Sequence, residues 1–341
     1  MSVIILAIES SCDDTSAAVV KDGVVLSNVM AGQDVHEKYG GVIPELASRA
    51  HQVNILPVAD KALKDAGVLL KDIDGIAFTR GPGLLGSLLV GTSFAKGLSI
   101  SARKPLIEVN HLQGHLLSHF IDEPGRVNRH PSFPYLTLLV SGGHTQIVRV
   151  DNFLEYKIIG ETIDDAAGEA FDKCAKLLDL GYPGGPVVDK LSKTGNSDKF
   201  RFSKPKIKGL DYSFSGVKTS LLYFLRDSIR QNPDFIKENL NDLCASFQKT
   251  IIEILLEKLI KASDETKIKT ITLGGGVSAN SSLRDRVVSE GDKRGWELFL
   301  PEIKYTTDNA AMIALAGYYR FLSHKFTNLD VVPISRIENF K

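Results

Sequence analysis

Two histidines, His111 and His115, stand four residues apart in the stretch "EVNHLQGHLLSHF". On a helix that spacing places both imidazoles one turn apart on the same face, where they reach one metal ion. Zinc proteases with paired histidines put a glutamate directly after the first, to activate water; here that position is Leu112. A third ligand is available in Asp308, in "TTDNAAM", if the last helix packs back on the first half of the chain. His119 extends the same face by another turn, but a fourth protein ligand would close a site that chemistry needs open. A His2Asp set with open positions suits iron or zinc equally well. The plain alternative is that histidines at this spacing cap or pack.

Other residues carry chemistry in their types and neighbours. In "AIESSCDDTS" the thiol of Cys12 is followed by Asp13 and Asp14, whose charge opposes thiolate formation. Cys12 therefore reads as structural, and Asp13, at a hairpin tip, is the better candidate for chemistry. Three glycine loops follow: "LVSGGHTQ" (Leu139–Gln146), "YPGGP" (Tyr182–Pro186) with Asp189 one helical turn beyond Gly185, and "LGGGVSAN" (Leu273–Asn280). Glycine lets backbone N–H groups approach an anion and adopts the positive φ that such nests use. A helix N-terminus after the third loop favours a phosphate further. One such loop is a common turn; three together point to a nucleotide site. The segment "DDAAGEAFDK" would set Asp165, Glu169 and Asp172 on one helical face, either solvated or accepting from ligand hydroxyls. "GPGLLG" (Gly81–Gly86) matches a dinucleotide fingerprint with Glu108 downstream, but Pro82 inside the loop and the mid-strand place of Glu108 favour simple close packing.

The elements that must position these residues alternate between strand and helix, which makes the class α/β. "VIILAI", a polar turn and "AAVVKDGVVLS" read as a hairpin, and "PYLTLLV", "SGGHTQ" and "IVRVDN" repeat it, suggesting two related halves. The Pro-rich polar stretch "DEPGRVNRHPSFP" is a plausible boundary. Helices are predicted over "PELASRAHQVNILPVADKALKDAG", after "RGPG", over the histidine segment, around Asp165–Leu178 and Asn241–Ser263, and from about Ala279. A last helix, "TDNAAMIALAGYYRFLSH", is expected to start with Thr307 or Asp308 as cap. The 341 residues, 43% hydrophobic, suffice for two domains, and the formal net charge of zero means that nucleic acid would be met by a local patch or with another subunit's help. Three scattered cysteines, no run near the roughly 20 apolar residues of a membrane span, and a strand starting at Val3 point to the cytoplasm.

Taken in order, "AIESSCDDTS", "GGVIPELASRAH", "GPGLLGSLLVG", "NHLQGHLLS", "LLVSGGHTQ", "IDDAAGEAFDK", "YPGGP", "LDYSFSGVKT", "GGGVSAN" and "TDNAAMIA" closely resemble the universal tRNA threonylcarbamoyladenosine transferase family, once described as sialoglycoprotein endopeptidases. The likeness runs from Ile4 to about Gly317, in bacterial or organellar forms of the motifs. It implies a two-lobed fold of the actin–hexokinase–Hsp70 type, with duplicated RNase H-like halves and an interlobe nucleotide cleft. The lobes would be 1–125, completed by a C-terminal helix at about 308–325, and 132–305. It implies that His111, His115 and Asp308 bind one divalent metal ion, iron first and zinc second. It implies that Leu139, Val140, Ser141, Gly142, Gly143, Asp172, Gly185, Asp189 and Asn280 hold threonylcarbamoyl-AMP. The reaction implied is acyl transfer to N6 of adenosine 37 in tRNAs reading codons that begin with A. For that reaction Asp13, at the hairpin tip, is read as the acceptor of the attacking amine's proton. Arg201, Lys204, Lys206 and Lys208 would be phosphate contacts for RNA or simply a solvated run. The resemblance also implies a paralogous dimerisation subunit, a small ATPase and a separate adenylate-forming enzyme. The rivals are a metalloprotease, which lacks its water-activating carboxylate here, a kinase of the same fold class, and a non-catalytic scaffold.

Overall fold

The computed structural model describes residues 2–33, 36, 39–126 and 128–336. The chain divides into two compact units: Met1–Pro131 with Asp151–Tyr156 and Thr307–Lys341, and Ser132–Val150 with Lys157–Thr306.

The first unit is built on strands β1 (Ile4–Glu9), β2 (Thr15–Lys21), β3 (Val24–Ala31), β4 (Gly75–Gly81) and β5 (Leu106–Asn110), ordered β3-β2-β1-β4-β5. β1 is antiparallel to β2 and parallel to β4, which is parallel to β5. The expected single strand "AAVVKDGVVLS" is in fact two, because Asp22 and Gly23 (φ 53° and 83°) form a tight hairpin turn between β2 and β3. Helices α1 (Pro44–Asp65) and α2 (Leu85–Ala102) cover one face, where Ile55, Val58, Ala59 and Ala95 meet Leu6, Ile8, Ile76 and Phe78. α1 opens with Pro at its first position, where no N–H is needed. Helix α3 (His111–Leu117) follows β5 without a loop, and the Asn110 side chain caps it by accepting from Leu112 N and Gln113 N. The C-terminal helix (Ala310–Leu322) lies on the sheet's other side. A Cβ on Gly317 would sit 2.5 Å from Ala77 Cβ, and one on Gly114 2.9 Å from Met312 Cγ. Glycine at these two places is therefore what lets the C-terminal helix close on β4 and on α3.

The second unit repeats the plan with β6 (Tyr135–Val140), β7 (Thr145–Asn152), β8 (Glu155–Glu161), β9 (Thr270–Gly274) and β10 (Glu297–Phe299), ordered β10-β9-β6-β7-β8. β6 is antiparallel to β7 and parallel to β9, as β1 is to β2 and β4. Its helices are α4 (Ala167–Leu177), α5 (Gly184–Ser192), α6 (Ser215–Gln231), α7 (Phe235–Thr266) and α8 (Ser281–Arg294). α4 begins at Ala167, α7 extends the predicted Asn241–Ser263 at both ends, and α5 and α6 were not expected. Leu136, Leu138, Ile271 and Leu273 of the sheet pack with Phe171 and with Ile251, Leu255 and Leu259 of α7 in the core. Among the described residues no helix is long and apolar enough to cross a membrane.

Candidate metal centre and glycine-loop cluster

Within the first unit, α3 and the residue just before the C-terminal helix converge. Asp308 Oδ1 lies 3.1 Å from His111 Nε2 and 3.2 Å from His115 Nε2. The expected cap at Thr307 or Asp308 is corrected to Asn309, whose side chain accepts from Met312 N. Capping by Asn309 leaves the Asp308 carboxylate free for the histidines. The three ligand atoms all lie within 4.8 Å of one another. Two ligands about 2.1 Å from a tetrahedral or octahedral ion stand about 3.0–3.4 Å apart, and the two His–Asp separations, 3.1 and 3.2 Å, fall in that range. His119 is buried but lies outside this group.

Behind the ligands sits a carboxylate that the sequence reading passed over. Glu9, at the end of β1, is fully buried, and its Oε2 lies 3.1 Å from His111 Nδ1. Ser11 N donates to Oε1 (2.6 Å) and Thr79 Oγ1 to Oε2 (2.5 Å). Burial alone would depress the His111 imidazolium, but Asp308 and Glu9 outweigh it and hold its pKa well above the ordinary value. Burial likewise works to raise Asp308 and Glu9, and the facing histidines win, holding Asp308 well below the carboxylate range and Glu9 lowered. Burial, reinforced by Asp13, Asp308 and Glu9, pushes Asp14 up to about 7. So much negative charge around two imidazoles is a setting that a cation relieves.

The turn carrying Asp13 is pinned from two helices. His51 Nε2 of α1 donates to the Cys12 carbonyl (3.0 Å), as does Ser87 Oγ of α2 (2.9 Å), and Leu84 N donates to Ser11 O (2.7 Å). Asp13 is half-buried and hydrogen-bonds the Cys12 thiol, whose pKa is raised first by burial and then by Asp13 and Asp308. "GPGLLG" is a packing turn: a Cβ on Gly83 would fall 2.3 Å from Ser11 O, and Glu108 is held by Arg80 (2.8 Å).

Within the second unit, the glycine loops gather at the carboxyl ends of β6 and β9. Leu139 and Val140 are fully buried in β6 and offer a ligand no side chain, while Gly142 and Gly143 are exposed. The expectation of positive φ in this loop is corrected: neither Gly142 nor Gly143 takes it, whereas Gly275 does (φ 81°) and stands close against the Val140 carbonyl. Ser141 O accepts from Gly168 N (3.2 Å), fastening the loop to the start of α4. The shared carboxylate face is also corrected. Asp165 precedes α4, and Lys173 takes both Asp165 (2.6 Å) and Glu169 (2.9 Å), so that Asp172 stands outside that ion pair with Glu169 as its charged neighbour. Asp172 Oδ1 accepts from Gly184 N (2.9 Å), next to Gly185; burial raises its pKa against that bond. Asp189 accepts from Ser281 N and Oγ (3.2 and 2.9 Å). Asn280 caps α8 through Leu283 N and donates to Gln248 Oε1 (2.7 Å). Arg201, Lys204, Lys206 and Lys208 are exposed, and Lys204 pairs with Glu253.

The sequence model of the family described as tRNA N6-adenosine threonylcarbamoyltransferase matches residues 24–315. A protein of that name from Porphyromonas gingivalis is 61% identical over 335 residues, 98% of this chain and 98% of its own. Another from Phocaeicola vulgatus is 56% identical over 337 residues, 99% of each chain. The solved structure of HypF from T. kodakarensis matches with a TM-score of 0.64 at 13% identity, over 96% of this chain and 49% of that one. This last likeness bears on the fold alone, the duplicated α/β plan of the actin–hexokinase–Hsp70 class.

Proposed function

This chain belongs to the tRNA N6-adenosine threonylcarbamoyltransferase family, and from that premise we propose how its residues divide the work. The enzyme is an acyltransferase that moves the threonylcarbamoyl group of threonylcarbamoyl-AMP to N6 of an adenosine in tRNA. The adenosine is taken to be position 37 of tRNAs reading codons that begin with A. The N6 amine attacks the carbamoyl carbon, the bond from that carbon to the phosphate oxygen breaks, AMP departs, and the amine loses a proton.

His111, His115 and Asp308 are assigned to one divalent ion, iron first and zinc as the alternative that the same donors admit. Bound there, the ion supplies Lewis-acid polarisation and a template for carbamoyl or phosphate oxygens. Ser141, Gly142 and Gly143 are assigned to the phosphate through backbone N–H groups, with Leu139 and Val140 anchoring that loop. Asp172 is assigned to the ribose hydroxyls, beside Gly185, with Asp189 and Asn280 shaping the wall at the start of α8. Asp13 is assigned the leaving proton, from its place in the acid-rich turn. A paralogous subunit and a small ATPase are proposed as partners, and the cytoplasm as the compartment.

The observation that carries the metal assignment is the convergence of both Nε2 atoms on Asp308 Oδ1. Leu112 stands where the zinc proteases carry their water-activating glutamate, and the relatives named above carry the transferase name. The test is transfer to unmodified tRNA, with candidate partners present, before and after chelation. Loss on chelation and recovery with Fe2+, less with Zn2+, is the expected result; transfer undiminished in rigorously chelated protein would overturn the assignment.

A further inference from the structure

We propose that Glu9 is the positioning residue of the metal centre: its buried carboxylate keeps His111 protonated at Nδ1 when the ion is bound, so that Nε2 presents its lone pair. The inference rests on the reading of His111, His115 and Asp308 as ligands and concerns what orients one of them. Glu9 has no exposed surface, and a buried carboxylate is tolerated only when donors surround it. Three do. Ser11 N–H reaches Oε1 at 2.6 Å, the Thr79 hydroxyl reaches Oε2 at 2.5 Å, and His111 Nδ1 lies 3.1 Å from Oε2.

The directions of these bonds decide the tautomer. A backbone N–H can only donate, and an ionised carboxylate can only accept. With Oε1 taken by Ser11 and Oε2 by Thr79, the remaining contact to His111 is made by a proton on Nδ1. The ring nitrogen facing Asp308 is then the unprotonated one whenever a cation takes the other site. The Ser11 hydroxyl, also 3.1 Å from Nδ1, can share that proton without reversing it. A carboxylate behind a ligating imidazole also raises the ring's basicity toward the ion.

His115 lacks this support. Its Nδ1 is buried and, among the described residues, has no hydrogen-bond partner; its ring meets Asp308 through Nε2 at 3.2 Å and stands edge-on to the His111 ring. The two ligands are therefore unequal: His111 has a carboxylate behind its Nδ1, and among the described residues His115 has none. A glutamate replaced by glutamine exposes the difference. The amide offers one acceptor and one donor. If its oxygen faces Ser11 N, its NH2 faces Thr79 and His111, which forces Nδ1 to accept and moves the proton to Nε2, the ligand atom.

The test titrates full-length protein with Co2+ as an optical probe, comparing wild type with Glu9→Gln and following thermal stability without the ion. A loss of about 10–100-fold in Co2+ affinity, with the ion-free melting temperature little changed, is the expected result. Equal affinity in wild type and Glu9→Gln would overturn the role of Glu9 while leaving the ligands in place. No Co2+ binding by wild type would instead sink the ligand assignment, and the inference with it. If Glu9→Gln fails to fold, the imidazole 15N spectrum of Zn2+-loaded wild type decides: His111 bound through Nε2 with a proton on Nδ1 supports the inference, and the opposite tautomer overturns it.

Discussion

At the scale of single residues, His51 shows how the acidic turn is held. Its Nε2 donates to the Cys12 carbonyl at 3.0 Å, and Thr15 Oγ1 donates to its Nδ1 at 2.7 Å. The Thr15 bond, accepted at Nδ1, needs the neutral ring, whereas the imidazolium would make the Cys12 bond equally well; burial, the main cause, lowers the ring's pKa below its ordinary value. The sign follows from linkage. A group whose folded pKa is depressed contributes stability that is present above the unfolded value and lost as pH falls through the folded one. Ion-free wild type should be more stable than His51→Gln at pH 7.5, and thermal melts should show that gap narrowing as pH falls below about 6.5. A gap that widens toward acid would contradict the neutral-ring assignment. The histidine pair and Asp308 were legible from type and spacing. Glu9 was not, because a glutamate closing the apolar run "VIILAIE" looks like a strand meeting solvent, and only the fold shows Ser11, Thr79 and His111 around it.

At the scale of elements, what could be read depended on whether an element's partners are local. Local partners did not suffice everywhere: the cap of α3, Asn110, has no counterpart among the expectations, and that of the C-terminal helix, expected at Thr307 or Asp308, is Asn309. α6 has a clean apolar stripe, Val217, Leu221 and Leu225, yet no capping side chain at its start. Its donors are satisfied from far away in sequence: Asp164 accepts from Ser213 Oγ (2.5 Å), Phe214 N (2.8 Å) and Ser215 Oγ (2.7 Å). These bonds account for the "DYSFSG" motif as structure, with Lys258 bracing the preceding loop through the Ile207 and Gly209 carbonyls. Asp164→Ala should cost about 1–3 kcal/mol, read as a lower denaturant midpoint. An unchanged midpoint would mean that solvent replaces Asp164 at no cost. The turn at Asp22–Gly23 is an exception: the Asp-Gly pair is a strong local hairpin signal, yet it lies inside one long apolar run that reads as strand.

At the scale of the whole molecule, the repeated polar-turn hairpin was visible in sequence, and the structure extends it to full five-stranded sheets of matching order. The third strand of each sheet, β3 and β8, is not expected from the sequence; β3 is separated from β2 only by the turn at Asp22 and Gly23. Each unit uses the same place, the turn after its first strand and the ends of its parallel strands, for different chemistry. In the first unit that place holds acids and imidazoles; in the second it holds glycine loops and Asp172. On the function proposed above, the first set would take the cation and the second the adenylate. The most direct measurement is single-turnover transfer from synthetic threonylcarbamoyl-AMP to unmodified tRNA, read by nucleoside mass spectrometry, with wild type beside His111→Ala and partner subunits supplied. Modified adenosine from wild type and a loss of at least about 100-fold in His111→Ala is the expected result. Equal product from both proteins would contradict the metal centre's part in the reaction, and none from either would contradict the transferase itself.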